Sequence, residues 1–369
     1  QLRELTNKPI KYIIFSHGHF DHCFGFKPFL DEIKTKDLPR PQIIAHKNCI
    51  NRFEKYRMLK EYHQWINRQQ FSSVIGDEYL GPSALRILEP TIVLSDNEYS
   101  FQLGGFTFYL YHEYGETDDS LWLWFPEKEV IFSGDLIISS FPNVGNPYKV
   151  QRYPKQWAYA MDKMIEKDAK FLAPGHGQLI EGKARVRDIL STTSEALHFL
   201  HDEVIKRMNQ GKWFEQIYHE MISIYPDKFR NHDYLSPIYG CYQFAIHAIY
   251  RLYHGWYDSG NPTDLFPAKS KDIARELLKI SDARSFLERA SSLTDNGNLQ
   301  LALHIIEPVI KGIDINVSDN PKILLDALKL KISIFEKQLK FESSFISSNI
   351  LRNGIMDLER KIKELQETE

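Results

Sequence analysis

Three histidines and a carboxylate fall within the six residues His17-Gly18-His19-Phe20-Asp21-His22, directly after an apolar run from Tyr12 to Phe15. Imidazole and carboxylate are the donors that suit Zn²⁺ and similar first-row metals. Side chains two apart on an extended segment share a face, so His17 and His19 point the same way. A turn into helix after them throws Asp21 and His22 toward a second point a short distance away. That is a layout for two metals rather than one.

Three later stretches offer further donors, each where an apolar run ends. His112-Glu113-Tyr114-Gly115-Glu116-Thr117-Asp118-Asp119 is the first, Gly134-Asp135 the second and Pro174-Gly175-His176-Gly177 the third. Glycine beside a polar residue lets backbone approach closely and side chains converge. Within the first stretch both His112 and Glu116 are ligand candidates. Cys23, next to the opening motif, reads as a small buried thiol. Residues 139–157 hold Pro142, Pro147, Pro154 and several Asn/Gly turn residues, which predicts an irregular loop beside Asp135. Such a loop commonly shapes a pocket. Arg152 within it suits either an oxyanion or a surface position ahead of the next helix.

Strands and helices must carry these groups to one place. Residues 9–15 read as a buried strand, 25–34 as a helix and 42–45 as another strand, an α/β rhythm. Residues 47–70 mix aromatic and basic side chains at helical spacing and read as one amphipathic helix. Residues 91–94 and 99–103 read as strands joined by a hairpin turn at Asp96-Asn97. Gly104-Gly105 makes a second tight turn before a strand over 106–111. Strands over 121–125, 130–133 and 171–173 continue the pattern, with a helix over 157–167 between the last two. From about residue 184 only helical spacing remains: 186–208, 213–225, then 283–293, 299–310, 321–335 and 354–369.

Composition narrows the class. The 369 residues imply two or three domains, and an apolar fraction of 43% is ample for their cores. A net charge of −3 lacks the basic stripe of a nucleic-acid binder. No apolar run approaches the roughly 18–20 residues of a membrane span. Three cysteines, at 23, 49 and 241, supply no disulfide framework. The chain opens on Gln1 with no signal peptide, so localisation stays open, with the cytoplasm mildly favoured.

The His-x-His-x-Asp-His stretch, followed in order by Glu116, Asp135 and His176, resembles the metallo-β-lactamase superfamily. The resemblance implies an α/β fold, the αββα sandwich, here short of its first strands, followed by an all-α helical domain. It implies two Zn²⁺ per chain: His17, His19 and Glu116 on one, Asp21, His22 and His176 on the other, Asp135 bridging, and His112 behind the ligands. Family members usually have His where Glu116 stands; Glu there is a mark of the alkylsulfatase branch. A second match points the same way. Arg251, Tyr253, Gly255, Trp256, Tyr257, Asp258, Gly260, Asn261 and Pro262 resemble the dimerisation domain of the type III alkylsulfatases, with Ser259 inserted and His247 where Arg is common.

On that resemblance the domains are expected at 1–184 (catalytic) and 185–369 (helical, dimerising). The expected activity is hydrolysis of alkyl sulfate esters by metal-activated hydroxide, with Asp21 and Asp135 catalytic. Asn143, Arg152, Tyr239 and Arg251 are the expected substrate contacts. The expected partners are a small-molecule ester and a second copy of the chain. Hydrolysis of another ester, lactone or thioester, and a non-catalytic scaffold assembled through its helical half, are the competing readings.

Overall fold

The computed structural model describes residues 2–71, 88–313 and 321–368. Two sheets carry the first half. Strands β1 (Tyr12–Ile14), β2 (Gln42–His46) and β3 (Ile92–Leu94) form a parallel three-stranded sheet in that order. Strands β4 (Glu98–Leu103), β5 (Phe106–Glu113), β6 (Ser120–Phe125), β7 (Val130–Ile138), β8 (Phe171–His176) and β9 (Ile180–Glu181) form a second sheet, in chain order. All its pairings are antiparallel except β7 with β8. Ile44, Leu94, Leu110 and Leu121 from the two sheets share one buried cluster, which makes the pair of sheets a sandwich.

Residues 91–94 depart from expectation. They pair with β2 in the three-stranded sheet, and the chain crosses from one sheet to the other at Asp96-Asn97 rather than turning a hairpin there. A three-residue apolar strand carries no signal about its partner, and parallel pairing with β2 is a long-range choice. The Gly104-Gly105 turn does form the expected hairpin, with φ of 64° and 84° at its two residues, the left-handed pair of a tight primed turn. The expected single helix over 47–70 is two, Lys47–Met58 and Lys60–Phe71, broken at Leu59. No Pro or Gly marks that break.

The helix Pro154–Ile165 lies on the second sheet. Its buried residues Trp157, Ala158, Ala160, Met161 and Met164 follow helical spacing. The long helix Lys183–Asn209 packs against it and presents Val186, Ile189, Leu190, Ala196, Leu197, Leu200 and Val204. Helices Phe214–Ile224 and Tyr242–Tyr253 join the same core, which runs without interruption from Trp122 to Tyr250. The first helices after the strands thus belong to the body that holds the site. By compactness the chain divides into one unit of Gln1–Arg68 with Ile75–Ser259, and another of Gln69–Val74 with Gly260–Glu369.

The second unit is helical: Ser270–Ile280, Ala283–Asp295, Leu299–Gly312, Pro321–Leu339 and Phe345–Thr368. Its core gathers Ala290, Ile306, Val309, Leu324, Ala327 and Leu328. The last helix starts nine residues earlier than its spacing implied, and Glu369, the end of that expected helix, lies outside the described residues. Among the described residues no helix is long and apolar enough to cross a membrane.

Trp157 fills the centre of the first core, and its indole N–H donates to the Leu136 carbonyl at 2.9 Å, one residue beyond Asp135. Trp157→Ala is therefore expected to cost about 3–5 kcal/mol of stability, read as a lowered midpoint in urea titration of the full chain.

Candidate metal centre

The opening motif is held from behind before any ligand is considered. Ser16 Oγ lies 3.2 Å from His17 Nδ1 and 3.1 Å from His22 Nδ1, so both rings turn their Nε2 atoms toward a common centre. The buried carboxylate of Asp119 accepts from the Gly18 backbone N–H at 2.7 Å and from Arg52 Nε at 3.3 Å. Arg52 also donates to Asp118 at 2.5 Å. The Cys23 thiol donates to the His17 carbonyl at 2.9 Å, beneath the turn. Backbone and ring direction are thus both set by protein contacts.

The seven ligand candidates converge in two groups. His17, His19, Glu116 and Asp135 form one, and Asp21, His22 and His176 the other; within each group the donor atoms lie within 4.8 Å of one another. Asp135 stands between them. Its Oδ2 is 3.7 Å from His17 Nε2, while its Oδ1 is 3.2 Å from His22 Nε2 and 3.6 Å from His176 Nε2. One carboxylate oxygen faces each group. Asp21 Oδ2 closes the second group, 3.5 Å from His22 and 3.3 Å from His176.

The donor chemistry fits a divalent cation in both groups. His17 Nε2 lies 2.8 Å from His19 Nδ1, and His22 Nε2 lies 3.4 Å from His176 Nε2. Ring nitrogens and carboxylate oxygens turned toward common points are the arrangement of a chelate. Asp135 Oδ1 is buried and, among the described residues, receives no well-aligned hydrogen bond, which fits an acceptor meant for a cation.

Electrostatics separates the groups. Burial holds His17 down to about 4, against the pull of Asp135, and holds His19 well below the usual imidazole range, so both are neutral, the form that ligates. Burial also acts against charge on His22, but Asp135 and Asp21 outweigh it and raise the ring to about 10. The same carboxylates raise His176 to about 10. Asp135 and Asp21 are held well below the carboxylate range by those imidazoles despite burial. The second group therefore gathers positive charge around its carboxylates, and a cation would take the place of those protons.

Glu116 is divided between two tasks. One oxygen is bonded by the Arg152 guanidinium, and the other lies 3.8 Å from His19 and 4.0 Å from His17. Burial, opposed by Arg152, pushes its carboxyl up to about 7. His112, by contrast, is turned away from both groups. Its Nε2 meets the Asp118 carbonyl at 2.9 Å, and its ring stacks on His46 with centroids 3.6 Å apart.

The four expected substrate contacts fall in different places. Asn143 is wholly buried; its side chain, turned so that both ends are satisfied, accepts from Arg152 at 3.3 Å and from the Tyr239 hydroxyl at 3.0 Å. Arg152 also donates to the Asn143 backbone carbonyl at 2.7 Å and is committed to Glu116. These three residues form a brace behind a ligand rather than an open anion site. Arg251 stands apart, bonded to Asp258 at 3.1 Å and to the Gly255 carbonyl, and lines a second cavity of about 540 Å³, which shares Lys149 and Gln151 with the one beside the first group. Ser16, Arg52 and Asp119 escaped sequence reasoning; the pair Asp118-Asp119, so soon after Glu116, was the one signal for the last.

A cavity of about 400 Å³ opens beside the first group, lined by His19 and Glu116, by Arg52, Lys55, Lys149 and Arg152, and by the apolar or aromatic side chains of Leu59, Tyr62, Ile66, Tyr148 and Val150. Tyr62 stacks on Trp65 (6.0 Å), which meets Tyr148 edge-on (5.8 Å).

Comparison with known proteins bears on the family and the fold. Residues 1–176 match the metallo-beta-lactamase superfamily and residues 214–361 match the alkyl sulfatase dimerisation family. A linear primary-alkylsulfatase of a Pseudomonas strain is 26% identical over 98% of this chain and 69% of its own length. An alkyl/aryl-sulfatase of Saccharomyces cerevisiae is 22% identical over 89% of this chain and 53% of its own. The solved stereoselective inverting sec-alkylsulfatase Pisa1 from Pseudomonas sp. matches 97% of this chain with a TM-score of 0.80 at 19% identity. It shows the same fold. The chain spans 58% of that structure and about half to two thirds of the relatives it matches.

A methyl group on Gly175 would sit 2.0 Å from Asp135 Oδ1. Gly175→Ala is therefore expected to displace Asp135 and lower the metal bound per chain, measured by elemental analysis, with helical content by circular dichroism unchanged. Arg152→Met, which frees the Glu116 carboxylate, is expected to weaken metal binding about 10–100-fold in chelator competition.

Proposed function

As this chain carries a metallo-β-lactamase superfamily domain over residues 1–176 and an alkyl sulfatase dimerisation region over 214–361, we propose that it is a metal-dependent hydrolase of sulfate esters. The observation that carries the reading is Asp135, with one oxygen turned to each of two donor groups. That placement supports a dinuclear centre of two Zn²⁺, with His17, His19 and Glu116 on one side, Asp21, His22 and His176 on the other and Asp135 common to both. Imidazole and carboxylate donors are suited to zinc. Similarity to alkylsulfatases supports the choice of sulfate among esters.

Bound in these groups, divalent cations supply Lewis acidity and make water acidic enough to be a nucleophile near neutral pH. The chain's own residues do the rest. Asp135 holds the two groups at a fixed separation. Asp21, half exposed and within 3.5 Å of both His22 and His176, orients the two rings from the open side of the second group. Arg152, braced by Asn143 and Tyr239, opposes the effect of burial on the Glu116 carboxyl and leaves its other oxygen turned toward His17 and His19. The 400 Å³ cavity joins cationic and apolar walls, a lining that suits an anionic head with a hydrocarbon tail.

Domain roles follow. Residues 1–184 are proposed as the catalytic domain and 185–369 as the helical domain, with the helices up to Tyr253 packed into the same core as the strands. Self-association as a homodimer is proposed through the latter, on the strength of the dimerisation-family match.

Turnover of dodecyl sulfate with release of sulfate is the test. The wild-type protein is expected to release sulfate, to lose activity on dialysis against a chelator and to regain it with zinc. Asp135→Asn is expected to lower turnover at least about 10³-fold, since it removes charge from both groups at once. Metal-loaded protein that cleaves carboxylic esters or lactones but no sulfate ester would transfer the reading to those substrates.

A further inference from the structure

The cavity beside the metal centre has four basic side chains in its walls, and they are not equivalent. Arg52 is neutralised by Asp118 and Asp119 and spends its charge fixing the turn at Gly18. Arg152 is neutralised by Glu116. Lys55 is exposed to solvent on its helix. Lys149 differs from all three. It is half-buried, and among the described residues its ammonium has no carboxylate partner; its side-chain contact is the amide oxygen of Asn67 at 3.3 Å.

The position of Lys149 is also prepared. Its N–H donates to the Asn146 side-chain oxygen at 3.0 Å and to the Asn146 carbonyl at 3.1 Å, closing a tight turn over Pro147 and Tyr148. The Arg152 N–H bonds the Val144 carbonyl at 2.8 Å, so the loop is tied at its base as well. An ammonium on a braced loop, facing a cavity and lacking a counter-charge, is a prepared anion site.

We propose that Lys149 recognises the charged head of the substrate, the role the sequence suggested for Arg152. The proposal rests on the sulfate-ester reading and names the residue that selects the anion within it. Burial and the neighbouring Arg152, with Lys55 and Arg52 adding to them against Glu116, push the Lys149 ammonium down to about 7, which is the condition of a cation held without its partner. An arriving sulfate supplies the missing negative charge. A neutral ester of the same chain length supplies none, so Lys149 discriminates between them.

The test uses decane-1-sulfonate, whose S–C bond resists hydrolysis, titrated calorimetrically below its micelle concentration into metal-loaded protein. Wild type, Lys149→Gln and Lys149→Arg are compared, with metal content measured for each. Lys149→Gln is expected to weaken sulfonate binding about tenfold or more, while Lys149→Arg keeps most of it and both keep their metal. Decan-1-ol is expected to bind all three alike. Unchanged sulfonate binding in Lys149→Gln overturns the proposal. Loss in both variants with metal intact also overturns it, because the effect then belongs to the shape of the loop and not to charge. Wild-type protein that holds metal and binds decan-1-ol but not the sulfonate instead sinks the sulfate-ester reading itself.

Discussion

Asp135 lies between two sets of donors, and the surrounding backbone is arranged to bring it there. Strand β7 carries it in an irregular stretch where the register with β8 shifts on either side of Gly134. Across that pairing, Gly175 leaves room that any side chain would remove. His176 follows at the end of β8, and the turn after β1 supplies His17, His19, Asp21 and His22 from the other sheet. The sandwich therefore has a function beyond burial of its apolar faces. It brings the ends of two sheets close enough for one carboxylate to face donors from both.

Burying so many donors is unfavourable unless something balances them, and the fold answers in two ways. In the first group, burial keeps His17 and His19 neutral, and Arg152 sits against Glu116. In the second, His22 and His176 take up positive charge from Asp21 and Asp135. A divalent cation in each group would substitute for these arrangements rather than add to them. Binding then releases protons from the second group and leaves the Arg152 brace in place. The brace itself reaches through Asn143 to Tyr239, which ties the 139–153 loop to the turn ahead of the helix Tyr242–Tyr253. The helices over 183–253 share a core with the strands through the apolar cluster that runs from Trp122 to Tyr250.

Much of the site was legible because metal chemistry restricts residue type and because alternation on a strand assigns faces locally. His17 and His19 on one side, Asp21 and His22 on the other, follow from spacing within six residues. Gly134 and Gly175 could be flagged as points of close approach without knowing what approached. Other readings failed where the deciding contact was remote. Ile92–Leu94 reads as a strand but not as a partner of β2. The helix break at Leu59 has no local breaker to announce it. Arg152 suited an oxyanion or a surface position equally, and its pairing with Glu116, 36 positions away in sequence, had no local signal.

The sequence by itself determined the donor set, the order of the strands that carry it and the switch to helix near residue 184, since each depends on residue type and short-range period. Tertiary structure alone decided which charges are already spent. Arg52, Arg152 and Lys149 are alike as residues, and only the folded chain gives the first two carboxylates and, among the described residues, leaves the third without one. The physical reason is range: side-chain period is a property of neighbours, whereas the free energy of a buried charge depends on whatever the fold places within a few Å of it.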